Sequence, residues 1–144
     1  MDDITGQIRM FERADGTQSW HLNGQFHRED GPAVERADGT REWGLNNRRH
    51  REDCPAVEWA NGTQEWYLHG ERHREDGPAV VWSNGTREWY LGDRRHREDG
   101  PAIEYANGRC RWHLHGVSYE FDKWAKALDI YDTEEFVMMR LTYG

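Results

Sequence analysis

The 144-residue chain carries 27 acidic against 19 basic side chains, a formal charge of −8. That balance argues against binding along a phosphate backbone, which needs a surplus of Lys and Arg. Only 35% of the residues are apolar, thin for a closed core, but eight Trp and six Tyr, each able to hide roughly 150–250 Å², exclude a disordered chain.

Residues Ile4 to Phe26 hold a worn unit, F-E-R-A-D-G-T-Q-S-W-H-L-N-G behind I-T-G-Q-I-R-M. From His27 the pattern becomes exact. H-R-E-D recurs at His27, His50, His73 and His96, a period of 50 − 27 = 23 residues. A fixed period of this size signals stacked supersecondary units, none of which can bury its apolar face alone. The divergent first unit reads as the N-terminal cap of an open stack.

Within each unit P-A-V-E-x-A-[DN]-G-T-x-E-W-x-L reads as a β-hairpin. Asp38-Gly39, Asn61-Gly62, Asn84-Gly85 and Asn107-Gly108 are strong signals for a two-residue type I′ turn. Pro32, Pro55, Pro78 and Pro101 open the first strand, where a missing N–H does least harm. Counting outward from a two-residue turn places Val34 opposite Trp43, Val57 opposite Trp66, Val80 opposite Trp89 and Ile103 opposite Trp112, on the core face. It places Trp82 opposite Arg87 in a stacking contact.

The other face then pairs Glu35 with Glu42 and Glu58 with Glu65, continues through Glu88 and Glu104, and is edged by Tyr67 and Tyr90. This carboxylate and tyrosine stripe is a candidate partner-binding surface. A three-residue turn with a bulge would shift the register and move these side chains to the other face.

Between hairpins the H-R-E-D blocks sit in turn-rich connections, and three readings stay open. The Asp can cap the turn before Gly-Pro while Arg and Glu pair between units. Alternatively, His27, Arg28, Arg49, His50, Arg51, Arg72, His73, Arg74, Arg95, His96 and Arg97 form an anion-binding edge. A ladder of His and Asp metal ligands is the third; ligands spread one per unit along a rod do not converge on one ion, so no metal is expected. Of the 19 basic residues, 19 − 2 = 17 are Arg, the two lysines being Lys123 and Lys126; the planar fork suits carboxylate pairing and ring stacking.

After Gly116 the period stops. Phe121, Trp124, Ala125 and Leu128 stand at helical spacing behind a Ser118 cap, and Asp132 starts a second helix with Glu135 reaching back. Residues 1–116 thus form a hairpin-repeat domain and 117–144 a helical cap or docking segment, the latter a candidate homodimer contact. Cys54 and Cys110 occupy unrelated places in the repeat, as expected of free thiols in a reducing cytoplasm. No signal peptide or spanning apolar run is apparent.

The pattern H-R-x-D-G-P-A…N-G-x-x-x-W-Y-L-N-G, matched at His27, Asp30, Gly31, Pro32, Ala33, Gly39, Trp43 and Leu45 and at their copies, resembles the variant MORN-like hairpin-repeat proteins of tailed phages, giant viruses and some bacteria. It departs from that pattern at Cys54, where Gly is usual, and at Gly44, where Tyr is usual. The resemblance implies a mainly β open stack of hairpins without enzyme chemistry and, for phage members, an accessory protein acting on host machinery. The residues themselves show no nucleophile with its base and no phosphate-binding loop, so neither an enzyme nor a cofactor is expected. The expected function is a non-enzymatic protein that engages, inhibits or redirects a host protein. Sequestration of a small nucleotide on the Arg–His edge and acidic mimicry of DNA are the alternatives; neither a membrane nor duplex nucleic acid is an expected partner.

Overall fold

The computed structural model describes residues 6–144; the start of the first unit at Ile4 lies outside them. Each full unit opens with a short hairpin. These are Val34–Glu35 with Arg41–Glu42, Val57–Glu58 with Gln64–Glu65, Val80–Val81 with Arg87–Glu88, and Ile103–Glu104 with Cys110–Leu114. Successive hairpins pair edge to edge, Arg41–Glu42 against Val57–Glu58 for example. Among the described residues they form one open antiparallel sheet of twelve strands, with Ile8–Glu12 at the N-terminal edge. The stack of hairpin units expected from the period is present, and it does not close into a barrel.

The turns differ from the expected two-residue type. Arg36 N–H donates to Thr40 O at 2.8 Å and Gly39 N–H to Arg36 O at 3.0 Å, and the arrangement repeats at Trp59, Trp82 and Tyr105. Of the Asp-Gly and Asn-Gly pairs only the glycines have positive φ, +95° at Gly39 and +92° at Gly62. The loop is therefore three residues long, with glycine in the left-handed position of a bulge. Asp38 and Asn61 accept from the amides of Thr40 and Thr63, at 2.8 and 2.9 Å, which favours this tighter local geometry.

The added residue slips every pair by one. Val34 lies opposite Glu42, Val57 opposite Glu65, Val80 opposite Glu88, and Ile103 opposite Arg111. The expected Val–Trp pairs and the Glu35–Glu42 and Glu58–Glu65 pairs do not form, because a one-residue slip exchanges the faces of a strand. Glu35 meets Arg41 and Glu58 meets Gln64. The expected Trp82–Arg87 contact is likewise absent: the Trp82 indole donates to Glu88 at 2.8 Å, while Arg87 pairs with Glu104.

The connection between hairpins contains a second hairpin that the turn-rich sequence hid. Gly44–Leu45 pairs with Arg48–Arg49, Tyr67–Leu68 with Glu71–Arg72, and Tyr90–Leu91 with Arg94–Arg95. Units are stapled at both ends. Buried Thr40, Thr63 and Thr86 each accept through Oγ1 from the backbone of the next unit's turn, at Ala60, Ser83 and Ala106, all at 3.1 Å. Such bonds satisfy turn amides that the ladder leaves over.

At the C-terminus Cys110–Leu114 pairs with Val117–Tyr119, so Ser118 lies in a strand opposite His113 and caps no helix. Helix α1 runs Phe121–Ala127 behind Glu120, and α2 runs Glu134–Tyr143. The α2 cap is Thr133, whose side chain accepts from Phe136 N–H at 3.2 Å; Asp132 instead turns the chain with φ +67°. The helices close the stack over a cluster of Trp112, Leu114, Trp124, Ala125, Phe136 and Met139. Trp124 is fully buried and donates to Arg97 O at 3.2 Å, tying the cap to the last H-R-E-D block. Among the described residues no helix is long and apolar enough to cross a membrane.

Candidate functional site

The register decides which charges face inward. Glu42, Glu65 and Glu88, expected on an exposed stripe, are buried at 9%, 4% and 8% exposure. Each is held by donors from its own unit. Glu65 accepts from the Trp59 indole at 2.6 Å, the Tyr67 hydroxyl at 2.9 Å and Arg72 Nε at 3.1 Å. Glu88 repeats this with Trp82, Tyr90 and Arg95 at 2.8, 2.9 and 3.0 Å. A buried carboxylate with three donors is fully compensated.

Burial by itself would push Glu88 up, but the hydrogen bonds from Trp82, Tyr90 and Arg95 outweigh it and hold its carboxyl below the ordinary value. Tyr90 is pushed up to about 12, by burial first and then by the Glu88 charge beside it. Tyr67 is raised for the same reasons, with Glu65 as its neighbour.

Tyr67 and Tyr90, also placed on the expected outer stripe, are buried within a ladder of rings and guanidiniums. Arg49 and Arg72 lie over the Tyr67 ring at 5.3 and 5.8 Å, and Arg72 and Arg95 over Tyr90, both at 5.6 Å. Arg49, Arg72 and Arg95, expected on an anion-binding edge, are half-buried rungs of this ladder, paired with Glu42, Glu65 and Glu88. Glu35, Glu58 and Glu104 lie half-buried on the opposite face, where Arg41 and Arg51 pair with Glu58, and Arg87 and Arg97 with Glu104.

The H-R-E-D edge is organised in the reverse sense to the expected basic comb. Arg28, Arg51, Arg74 and Arg97 fold inward over Trp20, Trp43, Trp66 and Trp89, at 3.8–4.0 Å from the ring centres. Each also donates to the carbonyl of the proline four residues on, at 3.0–3.2 Å. His27, His50, His73 and His96 accept through Nδ1 from the backbone 19 residues on, in the turn of the following short hairpin, at Asn46, His69, Gly92 and His115, over 2.9–3.1 Å. That contact puts the ring proton on Nε2, facing the Glu two residues on. These histidines join successive short hairpins and face no shared centre.

What projects is carboxylate. The Glu75 and Asp76 side chains are 84% and 88% exposed, and Glu29, Asp30, Glu52, Glu98 and Asp99 stand out similarly. Between consecutive blocks lie three related grooves. One is floored by Trp43 and Leu45, the next by Trp66 and Leu68, and the third by Trp89 and Leu91. Their walls are the exposed Glu and Asp tips together with the inward-folded Arg and His side chains of the same blocks.

One block departs from the rule. A side chain placed at Gly31, Gly77 or Gly100 would put its first carbon within 2.6–3.0 Å of the neighbouring guanidinium. At Cys54 such a carbon exists. There Arg51 leaves the Asp contact that Arg28, Arg74 and Arg97 keep and pairs with Glu58 at 3.1 Å.

Compared with known proteins, the chain matches no family model and no curated protein.

Proposed function

We propose that the chain is a non-enzymatic binding protein whose H-R-E-D edge docks a basic, partly extended segment of another protein. One observation carries the reading: the same groove, with a Trp and Leu floor on which the block's own arginine lies and with exposed Glu and Asp tips at its rim, is repeated between consecutive blocks. Lys or Arg side chains can lay their aliphatic stems on such a floor while their charged heads meet the rim. The net charge of −8 favours the same partner at a distance. Glu52, Asp53, Glu75 and Asp76 are the residues assigned to the contact. The family resemblance adds the expectation that the partner is a host protein of a virus and that docking inhibits or redirects it.

The test is capture from a host lysate with the native chain, beside a form carrying Glu52→Lys, Asp53→Lys, Glu75→Lys and Asp76→Lys. A basic partner that binds the native form, loses it as salt rises, and is not retained by the reversed form supports the docking. A partner retained equally by both forms, or none retained by either, overturns it.

A further inference from the structure

The repeat offers an internal comparison that exposes a second, separate site. In two consecutive units the position after the conserved Trp is a buried tyrosine, Tyr67 or Tyr90; in the unit before them it is Gly44. The surroundings of that position are preserved at Ala33, Val34, Glu42 and Arg49 and changed at Arg36 and Phe26, whose counterparts are Trp59 and Arg49. Tyr67 packs on Ala56, Val57 and Trp59. The counterparts 23 residues earlier, Ala33, Val34 and Arg36, line a cavity of about 290 Å³ together with Gly44. The volume is near the lower end of small-molecule sites, roughly 300–1,000 Å³.

The polar groups that a phenol meets in the other units are in place. Glu42 stands where Glu65 receives the Tyr67 hydroxyl, and Arg49 stands where Arg72 flanks the ring. Arg36 replaces the indole donor of Trp59 on the first oxygen of the carboxylate, with Nε at 2.9 Å and a closer Nη2 contact. The second oxygen accepts from Arg49 Nε at 3.1 Å, and Arg49 Nη2 lies equally close, at 3.1 Å. Its counterparts in Glu65 and Glu88 accept both an Arg and a phenol O–H. Three hydrogen bonds on Glu42 leave one of a carboxylate's roughly four lone-pair sites without a donor, and Glu42 lines the space that the ring fills in the other units. Phe26, the counterpart of Arg49 one unit earlier, supplies an aromatic wall on the far side.

We infer that the cavity at Gly44 is a binding site for a small hydroxyarene, which takes the place of the missing tyrosine ring and donates its hydroxyl to Glu42. This site shares no residue with the groove contact assigned to Glu52, Asp53, Glu75 and Asp76, so the two stand or fall separately.

The probe is p-cresol, the side-chain analogue of tyrosine, titrated into the ¹⁵N-labelled native chain. Saturable binding with shifts centred on the amides of Gly44, Val34 and Arg36 is expected. 4-Methylanisole, which fills the same space without a donor, is expected to bind roughly tenfold more weakly or worse. Gly44→Tyr, which supplies the ring from within, is expected to abolish binding. Absence of saturation at millimolar p-cresol, shifts centred elsewhere, equal binding of the ether, or undiminished binding by folded Gly44→Tyr would each overturn the assignment. Should that variant fail to fold, the shift map and the ether comparison on the native chain decide alone.

Discussion

Glu65 and Glu75 lie ten positions apart and differ in everything but chemistry. Glu65 is buried beneath an indole, a phenol and a guanidinium, while Glu75 stands on the H-R-E-D edge with its carboxylate in water. The arginines are sorted the same way within each unit. Arg72 completes the internal ladder, and Arg74 lies flat on Trp66 with a donor on a proline carbonyl. One face of the hairpin therefore uses acid and base as core material. The H-R-E-D edge folds its arginines onto indoles and leaves its carboxylates in water.

The sharpest test of that contrast removes each carboxylate in turn. Glu65→Ala leaves the half-buried Arg72, the Trp59 indole and the Tyr67 hydroxyl without their shared acceptor, at an expected cost of about 1–3 kcal/mol. Glu75→Ala is expected to stay within about 0.5 kcal/mol. Urea midpoints at neutral pH give both numbers, and equal effects would erase the distinction between face and edge.

A smaller effect reads the buried face by pH. The carboxyl of Glu88 is held below its ordinary 4.5, so the stability it contributes is present above that value and lost as pH falls through the folded value. Tyr90 is raised from 10.0 to about 12, so its contribution is whole below pH 10 and lost as pH rises through about 12. Unfolding midpoints should therefore decline at both extremes, and Tyr90→Phe should flatten much of the alkaline limb. An alkaline limb unchanged in Tyr90→Phe would show that the ladder is not the titrating element.

The smallest expected change lies at Cys54. Glycine there frees the space that Arg28, Arg74 and Arg97 use in the other blocks. Cys54→Gly should return Arg51 to Asp53, with a stability change below about 1 kcal/mol. A high-resolution structure of the variant reads the contact directly. Arg51 remaining on Glu58 would mean that the glycine is not what holds the other three arginines in place.

Much of the architecture was legible before any coordinates. The 23-residue period, the Asp-Gly and Asn-Gly corners and the helical spacing of Phe121, Trp124 and Leu128 are local signals, and the stack and its helical end follow from them. The second hairpin was hidden because strands as short as Tyr67–Leu68 carry too few residues to alternate. Ser118 was misplaced because a sequence cap signal cannot compete with the ladder that draws it opposite His113. The departure at Gly44 was visible in the sequence as a broken pattern. What it leaves behind was not visible, since the cavity exists only once Ala33, Val34 and Glu42 gather around that position.

The sequence alone determined that identical units stack, because repetition at a fixed interval makes each unit's unburied face fit the next. The direction each charge faces was decided by tertiary structure. It hangs on one residue in the turn, where a bulge and a two-residue corner share the same Asn-Gly letters but send every side chain of the strand to opposite sides. Only the assembled sheet, with its buried valines and its inter-unit staples, selects between them.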